Sequence, residues 1–148
     1  MKNTFILLLL GMAFISCQEK NKTAYTEFNQ DSEKMEQDPL QASIDRGSLV
    51  YKDFCNQCHR PKGKGVGKSF PPLAGSNWLT EKREESIRGV KYGQKGEIEV
   101  NGKKYNGVMM PMGLSDKEVA DVMNYVMNSW GNTQEKMVTV EEVKAVTQ

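Results

Sequence analysis

Five consecutive residues, Cys55-Asn56-Gln57-Cys58-His59, restrict this chain more than any other feature, because His59 is the only histidine in 148 residues. Two thiols three positions apart at a helix end can reach the two vinyl groups of one porphyrin while the next imidazole is held under the iron. C-x-x-C-H is accordingly read as a c-type haem attachment site. The competing chemistries ask for residues the chain lacks. Zinc needs more Cys or His ligands than are present, and a thioredoxin-like thiol pair belongs with alternating strands and helices, for which there is no pattern.

The surrounding pattern is helical. From Gln41 to His59, Ile44, Gly47, Val50, Tyr51, Phe54, Cys55 and Cys58 recur at steps of three and four, one face of a helix. Glycines and prolines then make a loop through Gly75. Thr80 is expected to cap a short charged helix to about Arg88, stopping near Gly89. Asn101-Gly102, between Glu97–Val100 and Lys103–Asn106, predicts a hairpin whose two turn residues need positive φ. Ser115 and Glu118 form a capping box for a helix with Val119, Val122, Met123, Val126 and Trp130 on its apolar stripe, closed by Gly131. A last short helix starts at Thr139 and carries Val143 and Val146. Met123 and Met127 read as core packing, and Trp78 and Trp130 as core or haem-packing aromatics.

The N-terminus reads differently. Lys2, an apolar run from Phe5 to Ile15 and a small residue before Cys17 make residues 1–16 a signal peptide. The run is shorter than the ~20 residues of a spanning helix. Phe14-Ile15-Ser16-Cys17 resembles a bacterial lipobox, which implies lipidation of Cys17 and a membrane anchor of more than one acyl chain. It also explains an odd cysteine count, Cys17, Cys55 and Cys58. Polar residues dominate from there to Pro39, so residues 17–40 read as a lipidated N-terminus and flexible tether. Such a tether spans roughly 25 Å on average. Residues 41–148 are the folded domain. With only 38% hydrophobic residues and a mean hydropathy of −0.61, a domain this small benefits from a covalent staple.

A second iron ligand must come from far along the chain. Val108-Met109-Met110-Pro111-Met112 offers thioethers, soft ligands suited to haem iron. Met110 is favoured, because Pro111 fixes an extended backbone beside it. Met109 and Met112 remain rivals.

Together these motifs resemble the small monohaem class I cytochromes c, from about Asp45 to Trp130. Gly47 and Tyr51 precede the attachment motif as they do there, the glycine letting the first helix cross the last one closely. Phe70-Pro71-Pro72-Leu73-Ala74-Gly75 resembles the family's Pro-x-Leu-x-Gly loop. The segment Ile98 to Val108, followed by Met-Pro and Leu114-Ser115-Asp116, resembles a bacterial subgroup with a hairpin before the methionine ligand. The resemblance implies an all-α fold of three to five helices around one covalent haem c, with a small β-hairpin before the Met loop. It also implies iron ligation by His59 and Met110, and a Pro71 carbonyl that accepts the other imidazole N–H.

The expected function is electron transfer, by a membrane-tethered carrier or by the cytochrome subunit of a respiratory complex, on the periplasmic side of a bacterial membrane. With no second histidine and no nucleophile constellation, the chain is not expected to be an enzyme. A net charge of +1 does not suggest nucleic-acid binding. Partners are expected to be redox proteins, and Arg60, Lys62, Lys64 and Lys68, with no acidic residue from Cys58 to Thr80, would steer an acidic one. Gly63 to Ser69 only superficially resembles a phosphate-binding loop, its glycines being one residue too close. The alternative is a haem-based sensor or small catalyst with a labile methionine, which carbon monoxide binding would reveal.

Overall fold

The computed structural model describes residues 38–134 and 136–148. The signal peptide, Cys17 and the tether up to residue 37 lie outside the described residues.

The first helix, α1 (Pro39–Val50), begins at Pro39, a residue whose missing N–H costs nothing there, behind Asp38, whose carboxylate accepts from Leu40 N–H. Over Tyr51–Cys55 the helix widens into a π-turn, with Asn56 N–H reaching back to Tyr51 O, and α2 (Asn56–His59) completes it. The extra residue shifts the helical phase, so Tyr51 is buried while Phe54 is 46% exposed. Phe54, placed by its spacing on the apolar face that carries both cysteines, stays with them but lies outside the core.

Two short helices follow the loop, α3 (Asn77–Glu81) and α4 (Arg83–Tyr92). Thr80 is not a cap. It lies inside α3 and its hydroxyl donates to Asn77 O. Helix α4 runs past Gly89 and stops at Gly93 (φ 86°). Strands β1 (Gln94–Val100) and β2 (Lys103–Met109) pair antiparallel, Gln94 opposite Met109 and Val100 opposite Lys103. Asn101 and Gly102 turn the hairpin with φ of 51° and 72°.

Ser115 caps α5 (Asp116–Met127) in the expected box with Glu118. That helix ends three residues before Trp130, which adopts positive φ and stacks with Tyr51 and Tyr125 at ring-centroid distances of 5.0 and 5.4 Å. Thr139 caps α6 (Val140–Ala145), its hydroxyl accepting from Glu142 N–H.

Helix α1 crosses α5 at Gly47. A Cβ there would lie 2.0 Å from Asp121 O, so only glycine permits the approach. Beside the crossing, buried Asp121 accepts hydrogen bonds from Ser43, Arg46 and Lys117. Burial alone would raise its carboxyl, but these donors prevail and hold it down to about 2. Asn124 links α5 to both neighbours, donating to Ser43 Oγ and Val138 O and accepting from Val138 N–H. The core contains Ile87, Val119, Val122, Met123, Met127, Val138 and Val143. Among the described residues no helix is long and apolar enough to cross a membrane.

Candidate functional site

The π-turn and α2 bring Cys55, Cys58 and His59 to the wall of one cavity of about 320 Å³. His59 is 8% exposed. Its Nδ1 lies 3.0 Å from Pro71 O. A carbonyl only accepts, so Nδ1 carries the hydrogen, and in the neutral ring the lone pair is left on Nε2. Burial lowers the His59 pKa, more than the Pro71 carbonyl opposes it, which keeps the imidazole neutral.

The loop after His59 is wound to deliver that carbonyl. Gly65 N–H donates to His59 O, Val66 and Phe70 exchange backbone hydrogen bonds, and Leu73 and Ala74 N–H both donate to Gly63 O. A side chain at Gly65 would collide with Phe70 O at 2.2 Å. Tyr51 fastens the other end, its hydroxyl donating to Arg60 O. Tyr51 was singled out from the sequence, but its bond to Arg60 and the loop's backbone contacts were not; the spaced glycines were the available signal.

Opposite this wall stand α4 and the hairpin. Three cavity-lining positions, Gly89, Gly96 and Gly107, carry no side chain, and the last two face each other across the strand pair. Bare backbone on one side of an apolar slot suits the close approach of a planar group. Ile98, Val90, Leu114 and Val126 supply apolar wall. The donor set fits a haem: two thiols, one neutral imidazole and four thioethers, Met123 on α5 among them, in one slot. Burial, with the Cys58 neighbour adding to it, raises the Cys55 thiol to about 11. That is opposite to the acidic thiol of a redox-active pair. Among the described residues no three His, Cys, Asp or Glu side chains are placed to hold a metal ion together, so zinc has no cage.

Met109, Met110 and Met112 all line the cavity. Met109 ends β2 with its terminal methyl against α4 at Gly89, whereas Met110 belongs to no strand or helix and is 63% exposed. The loop is pinned where a Cβ on Gly93 would come within 2.7 Å of Met109 O and 3.0 Å of Pro111 Cδ.

Comparison with known proteins agrees with this chemistry. Residues 44–130 match the family described as Cytochrome c. Cytochrome c-552 of Thermus thermophilus is 41% identical over 107 residues, covering 66% of this chain and 81% of that protein. The cytochrome c subunit of alcohol dehydrogenase (quinone) from Gluconacetobacter polyoxogenes is 35% identical over 101 residues, 66% of this chain and 21% of that protein. The gluconate 2-dehydrogenase cytochrome c subunit of Pantoea cypripedii is 29% identical over 106 residues, 68% of this chain and 23% of that protein.

Proposed function

The chain belongs to the cytochrome c family, and from that premise we propose an exported, lipid-tethered electron carrier in which Cys55 and Cys58 hold the haem c while His59 and Met110 bind its iron. When bound, haem c supplies a one-electron ferrous/ferric couple. The observation that carries the ligand assignment is the contact between His59 Nδ1 and Pro71 O, 3.0 Å, inside the cavity that also holds both thiols. It aims Nε2 as the remaining ligand atom and strengthens it as a donor. Pro111 and Gly93 hold the loop that presents Met110.

The protein's remaining work is environmental. Its apolar wall excludes water and favours the less charged, reduced state. With its one histidine committed to iron and, among the described residues, no other base in the cavity apart from one carboxylate, the chain is a carrier and not an enzyme in its own right. The signal-like residues 1–16 and the lipobox at Cys17 support attachment to the periplasmic side of a membrane. That the three relatives are named as a cytochrome c-552 and as cytochrome c subunits of two dehydrogenases supports redox proteins as donor and acceptor, whether the chain diffuses on its tether or docks as a subunit. Arg60, Lys62, Lys64 and Lys68 are all exposed in the loop that follows His59, which favours an acidic partner. Electron-transfer rates with that partner should then fall steeply between low and physiological salt, and a flat salt profile removes the steering role.

The test of the ligand assignment is the visible spectrum of the purified protein and of Met109→Ala, Met110→Ala and Met112→Ala. The ferric sulfur-to-iron charge-transfer band should vanish only in Met110→Ala. Loss in another variant transfers the ligand role to that residue. Carbon monoxide binding to the reduced wild type would favour the sensor.

A further inference from the structure

The cavity wall is mainly apolar, and beside His59 its other polar side chains, among them Ser69, Ser86 and Gln94, are neutral with one exception. Glu85, half-buried on α4, is among the described residues the only acidic side chain that lines it, and no lysine or arginine lines it. The residues of α4 that face the cavity are Glu85, Ser86, Gly89 and Val90. The basic residues of the same helix are engaged elsewhere. Arg83 pairs with Glu142, Arg88 with Glu84 and Lys91 with Asp116. The Glu85 side chain makes no hydrogen bond or ion pair within the described residues. A carboxylate without a countercharge thus stands in the wall of a slot that is otherwise suited to a neutral occupant.

Such a charge has a direction of effect. Ferric iron in a porphyrin dianion carries one net positive charge and ferrous iron none, so accepting one electron from a donor protein lowers the local charge by one. A nearby negative charge stabilises the ferric form and leaves the ferrous form almost untouched, and low-dielectric walls lengthen its reach. We propose that Glu85 sets the reduction potential of this cytochrome, holding it below the value that the apolar cavity alone would give. Glu85 thereby selects which donors can reduce the protein and which acceptors it can reduce. It is a tuning residue: it neither binds iron nor attaches haem. The inference rests on the haem occupying this cavity, though not on which methionine binds the iron.

Spectroelectrochemical titration of the intact holoprotein at low salt tests it, comparing wild type with Glu85→Gln, Glu85→Lys and Glu84→Gln. Glutamine keeps the shape and removes the charge. At a fixed applied potential the ferrous-to-ferric ratio should rise roughly three- to tenfold in Glu85→Gln and further in Glu85→Lys. The exposed control Glu84→Gln should change it by less than about half as much on a logarithmic scale, because solvent screens that charge. Structural damage works the other way, since loss of the thioether ligand lowers the potential and abolishes the charge-transfer band. A Glu85→Gln protein with that band retained and an unchanged or lower ferrous fraction overturns the proposal. So does an effect of Glu84→Gln as large as that of Glu85→Gln. If the band is lacking in the wild type, the methionine assignment fails separately, and the ordering of the four proteins still decides the role of Glu85.

Discussion

At Asp121 one carboxylate accepts from three side chains at the α1–α5 crossing, and its pKa lies near 2 in the folded chain against about 3.9 for a free aspartate. The folded pKa is the lower one. Asp121 therefore contributes stability that is full above pH 4 and disappears as pH falls from about 4 to 2. Asp121→Asn should cost about 2 kcal/mol at pH 6, and chemical denaturation should show the gap to wild type closing over that acid window. Single residues were also where sequence reasoning was strongest. The attachment motif, the Pro71 loop and Gly47 depend on spacing and on the absence of a side chain, which a one-dimensional pattern preserves. Glu85 was legible only as part of the short charged helix, because nothing in its neighbours says that it turns toward a cavity. The distinction among Met109, Met110 and Met112 also needs three dimensions, since all three share one short loop.

Elements followed from local chemistry where the chemistry was local. The Asn101-Gly102 turn and the Ser115 and Thr139 caps form where their side chains dictate. Reading failed where packing decides: Thr80 has the composition of a cap but sits within α3, and Trp130 matches the stripe of α5 yet lies past its end, drawn onto Tyr51 and Tyr125. The π-turn at Tyr51–Cys55 leaves no mark in a spacing of three and four. At α5, Ser115 Oγ accepts from Glu118 N–H while Glu118 Oε2 accepts from Ser115 N–H at 2.8 Å. Ser115→Ala removes the first bond, and the melting temperature should register a loss of about 1 kcal/mol, with the visible spectrum unchanged.

Taken as a whole, the molecule is braced by residues beyond the span of the family match. Val138 and Val143 are fully buried and Val146 nearly so. Three carbonyls of this last segment accept side-chain bonds from α4: Val143 O from Lys91, Val146 O from Tyr92 and Thr147 O from Arg88. Ending the chain at residue 134 would bare the outer face of the helix whose inner face walls the cavity. The truncated holoprotein should melt several degrees lower, and its thioether charge-transfer band should be lost at lower temperature than in the full chain. An unchanged band at every temperature up to melting would show that the brace does not reach the cavity.

The crossing at Gly47 also fixes an order of events. Helix α1 meets its partner only when α5 exists, some seventy residues later, and a helix as short as α1 is marginal by itself. A chain that emerges N-terminus first thus exposes Cys55 and Cys58 on an unpaired segment before the cavity around them can close. The two thiols are open to chemistry early and enclosed late, so the lateness of the closing contact leaves an interval for covalent chemistry at both sulfurs.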